Sequence, residues 1–87
     1  MEKDPLYLKC IFEDGLVYFK ITILENPQDD YIYEGTELIM EDDTWSIDYY
    51  ELTQDDIEEM YEDDFCNISK EEFDDAFMKA NLNLKKG

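Results

Sequence analysis

Between Lys20 and Lys70 the chain carries seventeen acidic residues and no basic one. No salt-bridge network can form inside such a stretch, and an unpaired buried carboxylate is too costly to retain. A chain so charged folds against its own charge. The densest part runs from Glu41 to Asp64, where half the residues are Asp or Glu. Over all 87 residues, 25 acids face seven lysines, with no Arg and no His, for a net charge of −18. Charge on this scale keeps a protein soluble, destabilises it by self-repulsion and steers it towards basic partners. Direct binding of nucleic acid or of an anionic membrane needs a basic patch, so neither is expected.

The chain nevertheless has what a core requires. Seven Tyr, five Phe and one Trp argue against disorder, and the length suits a single acidic domain spanning residues 1–87. Leu6, Leu8, Cys10 and Phe12 alternate with Tyr7, Lys9 and Ile11, the period of a pleated strand. Glu13-Asp14-Gly15 is a turn, and Leu16 to Leu24 forms a second strand with Val17, Phe19, Ile21 and Ile23 on one face. Asn26 to Asp30 has the composition of a loop. A third strand is expected from Tyr31 to Met40, bent at Gly35, because glycine inside a strand often marks a bulge. Glu41-Asp42-Asp43 turns the chain into a fourth strand carrying Trp45, Ile47 and Tyr49.

Beyond Thr53 the period changes. Thr53 can cap a helix with Ile57, Met60 and Tyr61 on its apolar side. Ser69 and Glu72 form a capping box, with Ile68 and Phe73 placed as a hydrophobic staple. Ala76, Phe77 and Ala80 extend that stripe, and Lys85 and Lys86 follow it, where positive charge suits a helix C-terminus. The expected fold is α+β: an antiparallel β-meander of about four strands followed by one or two C-terminal helices.

The same composition narrows the chemistry. Without His there is no base tuned to neutral pH, and without Arg no planar clamp for an anion, so enzymatic activity is not expected. Ser46 and Ser69 lack a partner base. Asp30, Glu34, Gly35 and Glu41 match positions 1, 5, 6 and 12 of an EF-hand loop, but Ile32 occupies a ligand position and the flanks read as strands. No metal site or cofactor is expected. Cys10 and Cys66 have neither metal nor redox spacing and are expected to be reduced. The start Met-Glu-Lys-Asp-Pro lacks the features of a secretory signal, and no run reaches the roughly 20 apolar residues that span a bilayer. A cytoplasmic location is therefore expected.

What remains is the acidic surface. Asp55, Glu59 and Asp63 recur every four residues, with Glu58 and Glu62 beside them, and each like-charged pair costs a helix roughly 0.2–0.5 kcal/mol. Asp55 and Asp56 suit the positive N-terminal end of that helix; Glu62, Asp63 and Asp64 crowd the end where negative charge is unfavourable. Carboxylates two apart on a strand lie about 6.8 Å from one another, and those four apart on a helix about 5–6 Å. These spacings approach those of nucleic-acid phosphates, which advance about 3.4 Å along the axis per nucleotide. The candidate partner-binding residues are Glu41, Asp42, Asp43, Asp48, Glu51, Asp55, Asp56, Glu58, Glu59, Glu62, Asp63 and Asp64, with Tyr49 and Tyr50 as anchors. Tyr31, Tyr33 and Trp45 are further aromatic candidates whose ordinary role would be packing.

The functional expectation is an inhibitor that occupies the nucleic-acid-binding surface of a basic protein, such as a nuclease effector. The analogy, of size and charge alone, is to DNA-mimic proteins, including phage or mobile-element anti-CRISPR and anti-restriction proteins. Immunity proteins that neutralise basic nucleases would look the same. The alternative is a non-enzymatic adaptor whose acidity serves solubility.

Overall fold

The computed structural model describes residues 4–25 and 31–86, so the expected loop at 26–30 lies outside the described residues. Within them the chain is α+β: β1 (Leu6–Ile11), β2 (Gly15–Glu25), β3 (Tyr31–Glu41), β4 (Thr44–Leu52), α1 (Gln54–Glu62), β5 (Cys66–Asn67) and α2 (Lys70–Lys86). The sheet is antiparallel throughout, in the order β4-β3-β2-β1-β5. The first four strands form the expected meander. β5 was not anticipated: two residues, Cys66 and Asn67, pair with Lys9 and Leu8 on the outer side of β1.

Alternation along the strands divides the apolar residues between two faces, and each face receives one helix. On the first, Leu8, Val17, Phe19 and Ile21 pack with Ile57 of α1, flanked by Leu6, Tyr33, Ile39, Leu52, Met60 and Phe65. On the second, Tyr18 and Leu38 pack with Phe73, Ala76 and Ala80 of α2, flanked by Tyr7, Leu16, Trp45, Ile47, Ile68 and Phe77. The sheet thus lies between its two helices. Ile68 and Phe73 share the second cluster, as the staple requires.

Several expectations need correction. The register between β2, β3 and β4 runs unbroken through Ile21, Gly35 and Tyr50, so Gly35 makes no bulge. It makes room instead: a Cβ there would lie 2.7 Å from Leu52 Cδ1 and 3.4 Å from Phe19 Cε1. Phe12 falls beyond β1 and is half exposed, and Tyr61 faces solvent although it shares the helical period. The Ser69 box is half formed. Its hydroxyl accepts from the Glu72 N–H at 3.1 Å, but the Glu72 carboxylate accepts from Lys9 Nζ, also at 3.1 Å. The placing of Lys85 and Lys86 at the C-terminal end of α2 holds, since the helix runs to Lys86. At the start of α1 the full box forms with Asp56, whose side chain accepts from the Thr53 N–H while its own N–H donates to Thr53 Oγ1.

Candidate functional site

The acidic residues are set by two local devices, a tight hairpin and a helix placed across the sheet. Asp42 and Asp43 form the two-residue turn between β3 and β4, with φ of 51° and 63°. Both residues being left-handed is the pattern of a type I′ turn, whose twist matches that of the strands it joins. Asp64 is also left-handed, with φ 67°. It ends α1 with the six-to-one bond of a Schellman turn, the Phe65 N–H donating to the Met60 carbonyl at 3.2 Å, just after the Asp63 N–H closes the last helical turn on the Glu59 carbonyl at 2.9 Å. Glycine or asparagine is the usual occupant of such positions. Among the described residues, all three non-glycine residues of positive φ are aspartates.

The register then pairs like with like. Glu37 lies directly opposite Asp48 on the face of α1, and Glu34 opposite Glu51 on the face of α2. Like charges directly opposite destabilise a sheet. The first row continues inward to the buried Phe19, and Glu37 itself is partly buried. Loss of water raises its carboxyl pKa above the ordinary value, the Asp48 charge adds to the rise, and a hydrogen bond from Tyr50 opposes it. Tyr50 donates its hydroxyl to Glu37 Oε1 at 3.2 Å. The neighbouring carboxylate raises the Tyr50 pKa in turn.

These residues edge an open groove of about 430 Å³ between β4 and α1. Glu37, Tyr50, Glu51, Asp56, Glu59 and Asp63 supply its polar lining, and Phe19, Leu52, Met60 and Phe65 its apolar floor. Phe65 is held edge-on against Phe19 with ring centroids 5.9 Å apart. The end of α1 is tied to the sheet through Cys10, whose thiol donates to the Asp63 carbonyl at 3.6 Å. Burial, and after it the nearby Asp64, pushes the Cys10 thiol pKa up.

The structure therefore separates the candidate residues. It brings Tyr50, Asp56, Glu59 and Asp63 to one groove, with Asp48 in the row beside it. Tyr49 lies on the opposite face, in a depression shared with Thr22, Leu24, Glu34 and Thr36, and Tyr50 and Glu51 border both that depression and the groove. Glu41, Asp42 and Asp43 project at the hairpin end, and Asp55, Glu58, Glu62 and Asp64 are exposed on or just past α1. Tyr49 is 71% exposed and Tyr50 46%. Trp45 stacks on Tyr18 and Tyr33 flanks the first core cluster, so both pack rather than project; the side chain of Tyr31 lies outside the described residues.

Sequence reasoning weighed Glu34 only as a calcium ligand and placed neither Glu34 nor Glu37 among the partner-binding residues. Glu37 was visible in principle, because it interrupts the apolar row Tyr33, Gly35, Ile39 at strand spacing. Two ion pairs form among the described residues, Lys9 with Glu72 and Lys79 with Asp75, and both involve α2. The acids of β3, β4 and α1 have none. Among the described residues no three Cys, Asp or Glu side chains gather as a metal ion would require, and no helix is long and apolar enough to cross a membrane. No family model, no curated protein and no solved structure matches the chain.

Proposed function

We propose that this protein is an acidic inhibitor that binds a basic, nucleic-acid-binding protein and covers the surface on which that protein holds nucleic acid. One observation carries the reading: carboxylates accumulate on β3, β4 and α1 at positions where they work against the fold and where, among the described residues, no cation pairs with them. Glu37 and Asp48 oppose one another, as do Glu34 and Glu51. The last turn of α1 contains no basic residue. Acids placed only for solubility would be cheapest on strand and helix positions remote from one another. A surface made to meet cations has its charges close together and unpaired until the partner arrives. Tyr50 and Tyr49 add exposed aromatic area beside the charges on either face.

The test is capture from lysate on the immobilised protein, with elution by duplex DNA and, separately, by salt at the same ionic strength. The expected result is a nucleic-acid-binding protein released by DNA and not by matched salt. A variant carrying Asp55→Asn, Glu58→Gln, Glu59→Gln, Glu62→Gln and Asp63→Asn should fold, melt at a higher temperature and fail to capture it. Retained capture by that variant, or a partner that DNA cannot displace, would favour the adaptor reading.

A further inference from the structure

β4 is an edge strand, and its outer side is open. The two-residue turn makes Glu41 and Thr44 a hydrogen-bonded pair, so Thr44, Ser46, Asp48, Tyr50 and Leu52 bond to β3. Trp45, Ile47, Tyr49 and Glu51 turn their N–H and C=O groups outward. The first of these is closed by the fold itself: the Trp45 N–H donates to Asn83 Oδ1 of α2 at 3.3 Å. Among the described residues nothing pairs with the outward groups of Ile47, Tyr49 and Glu51. The opposite edge of the sheet is protected, because β5 covers Leu8 and Lys9 and the Ile68 N–H donates to the Tyr7 carbonyl at 2.9 Å. Exposed edges are commonly blunted by Lys, Pro or a bulge. β4 has none of these over its nine residues.

Its charges decide what can add there. Asp48 ends the row Phe19, Glu37, Asp48 on one face, and Glu51 ends the row Thr22, Glu34, Glu51 on the other. Each row arrives at the open edge as a pair of like charges. A second copy of β4 would lengthen both rows with more carboxylate and is repelled. A strand carrying Lys or Arg opposite Asp48 and opposite Glu51 would complete both. Those positions are three apart, so the two cations would point to opposite faces, with Tyr49 and Tyr50 between them for apolar contact.

We propose that β4 receives an extended basic segment of the partner as a sixth strand, through the outward N–H and C=O groups of Ile47, Tyr49 and Glu51, with cations three residues apart meeting Asp48 and Glu51. This rests on the reading of the protein as a binder of a basic partner, and it locates the first contact in the backbone of the edge rather than in the charges of α1.

The probe is a synthetic, β-prone peptide with two lysines three residues apart, compared with the same peptide N-methylated at alternate residues along its bonding edge. Amide exchange of the isotope-labelled protein is read by NMR at physiological salt. The unmethylated peptide should slow exchange of the Tyr49 and Glu51 amides by about tenfold or more at saturation. The Asp48 and Tyr50 amides, already bonded to β3, should change little. The methylated peptide should give no protection. The pair Asp48→Lys with Glu51→Lys, its fold checked by circular dichroism, should lose the dilysine peptide and accept one bearing two glutamates.

Equal binding of both peptides without amide protection would overturn strand addition and leave the acidic-surface reading standing. Absence of peptide binding would overturn strand addition too. So would protection of these amides in the free protein that grows with its concentration, because the occupant would then be a second copy. Protection by the peptide, with a captured partner that DNA fails to displace, would support strand addition while removing nucleic-acid competition.

Discussion

Glu37 is the residue at which folding and charge conflict most openly. It stands on the helix-covered face of β3 between Gly35 and Ile39, loses water there, and has Asp48 for its cross-strand neighbour. Because its folded pKa is raised, the folded chain holds this proton more tightly than the unfolded chain. Stability from this group is therefore greatest below the ordinary value of 4.5. It falls as pH rises through the window up to the raised folded value, and is flat above it. Glu37→Gln should remove that slope and raise stability at neutral pH by about 0.5 kcal/mol, read from urea melts at a series of pH values. An unchanged slope would place the proton on another group. At Asp64 the conflict is conformational, since a left-handed residue with a Cβ ends α1 where glycine would be unstrained. Asp64→Gly should stabilise the protein by about 1 kcal/mol in the same assay, and a loss of stability would mean that the aspartate makes a compensating contact.

At the scale of elements, the hydrophobic period announced about four strands and one or two helices because each strand of the meander has at least one face in the core and each helix one stripe. It could not announce β5. Cys66 and Asn67 are both exposed and form a strand only because β1 offers an edge at that point, a tertiary fact with no local signature. Nor could it show that the two helices take opposite faces of the sheet, which is what divides the candidate acids between two surfaces. The cap at Thr53 was legible from its chemistry, whereas the box at Ser69 stays half formed because Lys9 of β1 takes the Glu72 carboxylate, which no spacing rule could supply. The C-terminal end of α1 is where the helix is least well served. Glu62→Lys would place a cation in its last turn and four residues after Glu58. It should raise stability by about 0.5–1 kcal/mol in urea denaturation, while weakening capture of a basic partner. A neutral or negative effect on stability would show that the Schellman turn, and not charge, limits this end.

For the whole molecule, a net charge of −18 on 87 residues means that ionic strength acts on the folded state as a stabiliser. Raising sodium chloride from about 0.01 to 0.5 M shortens the Debye length from about 30 Å to under 5 Å. The melting temperature should rise over that range by several degrees, and a flat response would mean that the acids repel one another equally in the unfolded chain. The two cysteines offer a practical consequence of the sheet order. Cys10 is buried, with its thiol made less acidic, whereas Cys66 is exposed on β5. A maleimide dye at neutral pH should therefore couple to Cys66 and spare Cys10. Four inter-strand steps separate β5 from β4, a lateral distance of about 19 Å. The wild-type chain thus carries its own single attachment point, far enough from the open edge to report an arriving partner by a change in fluorescence without standing in its way.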